Sequence, residues 1–146
     1  MMTRREVGKA LSLAAFSAAG LGEFLQAQTA SGSKKGGDSI GVDRLLEQAV
    51  PDIGGKEVRL VLLTVEPGGT SEPHRHTGPV FAYVLEGTIQ NQVDPEPAKT
   101  YHPGGFFYEP TMHVHRALTN MSKTKPAKIL VFEIGEKGKE FTVGAS

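Results

Sequence analysis

The chain of 146 residues contains no cysteine, which excludes disulfide frameworks, thiolate zinc sites and cysteine nucleophiles. It has no excess of charge: 16 basic side chains balance 16 acidic ones. A nucleic-acid binder needs a basic face to displace counterions from phosphates, so the balance argues against that partner class. It equally disfavours a membrane-surface protein held by a polybasic patch. No apolar run approaches the ~20 residues that span a bilayer as a helix. Phosphate-cradling loops, dinucleotide fingerprints and Ser/His/Asp arrangements are also missing. Turn chemistry is plentiful, with 18 glycines and 9 prolines to divide the chain into short strands. The length suits one domain, and a hydrophobic share of 38% suffices for one small core.

Residues 1–27 differ from the rest. A basic head, Thr3-Arg4-Arg5-Glu6-Val7-Gly8-Lys9, precedes a mildly apolar run from Ala10 to Leu21. Head, short apolar centre and small-residue end read as a cleaved signal peptide, with cleavage near Ala27 or Ala30. A surface amphipathic helix is the alternative. The arginine pair resembles the twin-arginine export signal, which implies a periplasmic protein with no membrane attachment after cleavage. Residues 28–41 are polar and glycine-rich, too poor in apolar surface to fold alone. They read as a flexible leader to a domain at 42–146.

Beyond the leader, strands dominate. Glu57 to Val65, Val80 to Leu85, Thr88 to Val93, Phe106 to Tyr108, Val114 to Leu118 and Ile129 to Ile134 are short apolar or alternating runs. Breakers separate them: Glu66-Pro67-Gly68-Gly69, Glu86-Gly87, Asp94-Pro95-Glu96-Pro97 and His102-Pro103-Gly104-Gly105. Val42 to Ala49 suits a helix or a strand. With no long amphipathic helix between the runs, the pattern is all-β, a sandwich or barrel.

All five histidines fall between positions 74 and 115, and four form two H-x-H pairs, His74-Arg75-His76 and His113-Val114-His115. Residues two apart on a strand point to the same face. Each pair can therefore aim two imidazoles at one point, and two such strands can converge on a metal ion. Neutral imidazole is the commonest ligand for first-row metals. Surface histidines on adjacent strands are the alternative.

The spacing around these pairs resembles the cupin family. Its first motif runs glycine, five residues, H-x-H, a short gap, an acid, six residues and a glycine; Gly68, His74, His76 and Gly87 fall in register. Gly104, Pro110 and His115 match the second motif. The resemblance implies a double-stranded β-helix, the cupin jelly-roll barrel, with a metal near its centre. Three positions depart from it. Val80 stands where the acidic ligand is expected, Met112 replaces a glycine, and Thr119 replaces an asparagine that comes one residue later as Asn120.

With Val80 in place of the acid, the ligands that the resemblance implies are His74, His76 and His115, a set similar to that of some iron dioxygenases. A divalent ion would then keep a charge of +2 rather than +1 and favour an anionic or enolate-forming substrate. Iron or manganese is the favoured ion, with zinc, nickel or copper as alternatives. His113 shares a face with His115 by strand parity, as a fourth ligand or a base. Glu109, in a loop before Pro110, is the other residue able to handle a proton. Gln90 or Gln92 can offer an amide to a ligand. The resulting expectation is an exported mononuclear metal-binding cupin, dioxygenase- or lyase-like, acting on a small molecule and dimeric as similar proteins are. A non-catalytic small-molecule- or metal-binding module is the alternative, and sugar isomerisation is also compatible with the family.

Overall fold

The computed structural model of the chain describes residues 39–145. The signal-peptide reading of residues 1–27, and most of the leader, lie outside them. Ten strands follow in order: β1 (Ile40–Val50), β2 (Lys56–Val65), β3 (His74–His76), β4 (Val80–Glu86), β5 (Ile89–Val93), β6 (Lys99–Tyr101), β7 (Phe106–Glu109), β8 (Val114–Asn120), β9 (Ala127–Glu136) and β10 (Thr142–Gly144). They make two five-stranded sheets, ordered β1-β2-β9-β4-β7 and β10-β3-β8-β5-β6, with every pairing antiparallel. This is the all-β jelly roll that the sequence suggests.

The stretch left open between helix and strand is β1. It pairs with β2 from Ile40↔Val65 to Val50↔Lys56, so ladder hydrogen bonds to a long neighbour settle what local pattern does not. Ile40 and Gly41, read as leader, belong to this strand.

Period-two alternation builds the core. On β4, Val80, Ala82 and Val84 are buried while Phe81, Tyr83 and Leu85 are exposed; on β9, Ala127, Ile129 and Val131 are buried. These residues pack with Val61, Val65, Ile89, Phe107 and Leu118 between the sheets. Each fully buried Val, Ile or Leu contributes roughly 1.5–3 kcal/mol of burial free energy. The turn from β4 to β5 depends on Gly87, whose φ is +84° and whose added Cβ would meet the Ala127 Cβ at 2.7 Å. Only glycine meets both conditions.

Candidate metal centre

Three histidines meet because of register. His74 on β3 lies directly opposite His115 on β8, and His76 follows two residues along β3. His74 is half-buried, whereas His76 and His115 are buried. His74 Nε2 stands 3.1 Å from His76 Nε2 and 3.2 Å from His115 Nδ1.

The outward nitrogens of the rings are held in place. His74 Nδ1 donates to the Glu72 carbonyl oxygen at 2.7 Å, and His115 Nε2 donates to the Asn91 Oδ1 at 2.6 Å. In the neutral ring each donation leaves a lone pair on the inward nitrogen, the state a metal requires. His76 Nδ1 faces Glu133 Oε1 at 3.5 Å and Thr142 Oγ1 at 3.4 Å. Burial pushes the pKa of His115 down to about 4; the Glu109 carboxylate opposes this, and His74 and His76 add to it. His115 is therefore neutral at pH 7.

Two carboxylates come from the opposite sheet. Glu109 ends β7 and is buried, with Oε2 at 3.2 Å from both His76 Nε2 and His115 Nδ1. Glu133 lies on β9, and burial raises its carboxyl above the usual range, partly countered by His76 and Arg59. These groups line one cavity of about 500 Å³ with Ile40, Val61, Leu63, Phe107, Leu118 and Val131. Arg44 and Arg59 also reach its wall. Arg59 sits 3.8 Å over the Phe141 ring and is held by Glu47 at 3.0 Å and Glu57 at 3.3 Å.

The histidines have the donor set and spacing of a metal centre. Donors about 2.1 Å from one ion and at right angles to each other are about 3.0 Å apart. The contacts of 3.1 and 3.2 Å between inward nitrogens match that edge.

The cupin domain family model matches residues 61–133, a span that runs from β2 to β9 and includes all three histidines. The chain is a cupin. No curated protein matches it closely enough to count as a relative. Among solved structures this cupin is similar to an oxalate oxidase, at 20% identity and a TM-score of 0.61, covering 94% of this chain and 74% of that one. An RmlC-like cupin from Shewanella frigidimarina aligns at 16% identity and a TM-score of 0.57, over 72% of this chain and 84% of that one. A DMSP lyase aligns at 21% identity and a TM-score of 0.57, over 73% of this chain, which spans only 53% of that lyase. At these identities the likeness shows the fold and leaves the reaction open.

The cupin brings some of the sequence-read residues together and separates others. His74, His76 and His115 converge as their spacing suggests. His113 does not join them: it lies outside β8, exposed, with Nδ1 donating to the Asp94 carbonyl oxygen at 2.9 Å. Strand parity fails there because the chain is still turning, with Met112 at φ 63° in the left-handed region. The glycine that the family pattern places at 112 suits that turn better. Glu109 is a strand residue rather than a loop residue, on the inward parity of Phe107. The amide beside the cluster belongs to Asn91, which shares the inward face of Ile89; Gln90 and Gln92 fall on the other parity.

Sequence reasoning missed Glu133. Its signal was parity, since Ile129, Val131 and Glu133 alternate along β9 and a charged residue there faces the barrel interior. Asn120 serves structure instead of chemistry. Fully buried, it donates through Nδ2 to the carbonyl oxygens of Val65, Glu66 and Lys125, and its Oδ1 accepts from the Ser122 amide.

Proposed function

We propose that this chain is an exported mononuclear metal-binding cupin that acts on a small organic molecule by dioxygenase- or lyase-like chemistry, with iron or manganese as its ion. The observation that carries the reading is the convergence of three inward imidazole nitrogens on the wall of a cavity of about 500 Å³. That volume lies within the range of small-molecule sites. The names of similar structures, oxalate oxidase and DMSP lyase among them, support the same substrate class.

His74, His76 and His115 hold the ion, which supplies Lewis acidity toward an oxygen-bearing substrate. Apolar side chains such as Leu63, Phe107 and Val131 line the chamber and suit the carbon skeleton of a small organic substrate. Arg44 and Arg59 reach the wall but are ion-paired with Glu47 and Glu57, so attraction for an anionic substrate comes from the ion itself. Glu133 holds or releases a proton at its carboxyl, since its raised pKa brings it closer to neutrality than an exposed glutamate. His113 is turned to solvent and takes no part. Export rests on the signal-peptide reading of residues 1–27 alone. A homodimer is part of the proposal, supported by the aromatic residues Phe81, Phe106, Tyr108 and Phe132 exposed on the outer face of the first sheet.

Binding without turnover is the other reading. It draws on the absence of an acid at position 80, and the carboxylates of Glu109 and Glu133 beside that position weaken it.

The test loads purified protein with iron(II) or manganese(II) and presents a panel of small oxygen-bearing acids in air. Dioxygen uptake or bond cleavage that depends on substrate and is lost in His74→Ala is expected. Metal-loaded protein that binds members of the panel and converts none contradicts catalysis.

A further inference from the structure

Position 80 is the centre of a row that crosses the first sheet. Val80 pairs with Glu109 on β7 at one side and with Glu133 on β9 at the other. Directly opposed residues of an antiparallel ladder present their side chains to the same face, about 4.5–5.5 Å apart at Cβ. An acid missing from the middle of the row can thus be supplied by either neighbour. The two neighbours are not equivalent. Glu133 meets His76 at the outward Nδ1, whereas Glu109 meets the inward nitrogens of both His76 and His115.

The four inward atoms form a closed ring. His74 Nε2 to His76 Nε2 is 3.1 Å, and His76 Nε2 to Glu109 Oε2, Glu109 Oε2 to His115 Nδ1 and His115 Nδ1 to His74 Nε2 are each 3.2 Å. The Glu109 Oε2 is buried and makes no hydrogen bond among the described residues. The His115 Nδ1 that faces it carries a lone pair, because Nε2 donates to Asn91, and a buried carboxylate oxygen against a lone pair is repelled unless a cation lies between them. All four edges have the spacing of donors cis to one another on a single ion, about 3.0 Å.

We propose that Glu109 is the fourth protein ligand of the metal ion, a carboxylate moved one strand across the sheet from the position where the cupin pattern carries it. This rests on the metal reading above and deepens it. With Glu109 bound, a divalent centre carries +1 rather than the +2 expected of three histidines alone. Glu109 is then a ligand, and proton transfer belongs to Glu133.

Cobalt(II) titration of the purified protein tests this, with affinity read by chelator competition and coordination read from the visible bands. The parent is expected to bind about one equivalent. Glu109→Gln is expected to weaken binding by about 100-fold or more and to change the bands, a larger loss than most outer partners cause. Glu133→Gln removes a carboxylate two strands away, on the far side of Val80; it should keep the bands and lose about tenfold or less. Glu109→Asp keeps the charge, shortens the reach by one methylene and is expected to lose affinity too, so it decides the matter should Glu109→Gln fail to fold. Parent-like bands and affinity in the Glu109 variants overturn the assignment and leave the three-histidine centre intact, as does equal weakening of the Gln variants with unchanged bands. A parent that binds no cobalt overturns both.

Discussion

Among the described residues, His115 is the one whose acid–base behaviour the fold changes most. Its pKa drops from 6.5 to about 4 on burial, so the folded chain refuses a proton that the unfolded chain accepts. In chelator-treated protein, stability present above pH 6.5 should therefore be lost as pH falls toward 4, by about 3 kcal/mol from this group. Glu133 acts in the opposite sense: its raised pKa makes the folded chain hold a proton that the unfolded chain has released, so its contribution grows as pH falls. His115→Gln isolates the first effect. Denaturant unfolding at pH 7 and pH 4.5 should show a steeper loss in the parent than in the variant, and identical pH profiles would contradict the burial argument. At this scale the sequence was most legible where chemistry repeats. The H-x-H pair and His115 announce themselves by type and spacing. Glu109 and Glu133 are harder to see, because a lone glutamate reads as surface until its strand parity is fixed by neighbours. His113 misleads for the converse reason, as parity does not extend into the turn that Met112 shapes.

Among the elements, the strands with strong alternation were readable and their partners were not. β4 and β9 declare an apolar face and a mixed face, yet nothing local says that both flank each other or that β7 completes the row at Val80. Pairing register joins positions 80, 109 and 133, which are distant in sequence. β1 was ambiguous for the same reason, since its conformation is set by β2. The outward faces of β4, β7 and β9 carry a cross-strand row, Phe132–Phe81–Tyr108, with the Phe81 and Tyr108 rings 5.2 Å apart. A second copy covering this row is expected to give a dimer by sedimentation at micromolar concentration. Phe81→Lys combined with Tyr108→Lys should give a monomer with little change in intrinsic stability, because both side chains are exposed in the single chain. A monomeric parent would contradict the dimer.

For the whole molecule, the two sheets divide the labour of the site. The second sheet supplies the three imidazoles from β3 and β8, and the first supplies carboxylates from β7 and β9 across a mostly apolar chamber. That division was partly legible, since motif spacing pointed to the barrel and to one half of the site. The other half needed the sheets to be closed on each other. Among the described residues no helix is long and apolar enough to cross a membrane. The proposed chemistry requires a metal ion held by His74, His76 and His115. Elemental mass spectrometry on the purified full-length chain tests that claim most directly beside His74→Ala and His115→Ala. About one equivalent of iron or manganese in the parent, absent from both variants, is the expected result. A folded, β-rich parent without metal would contradict it.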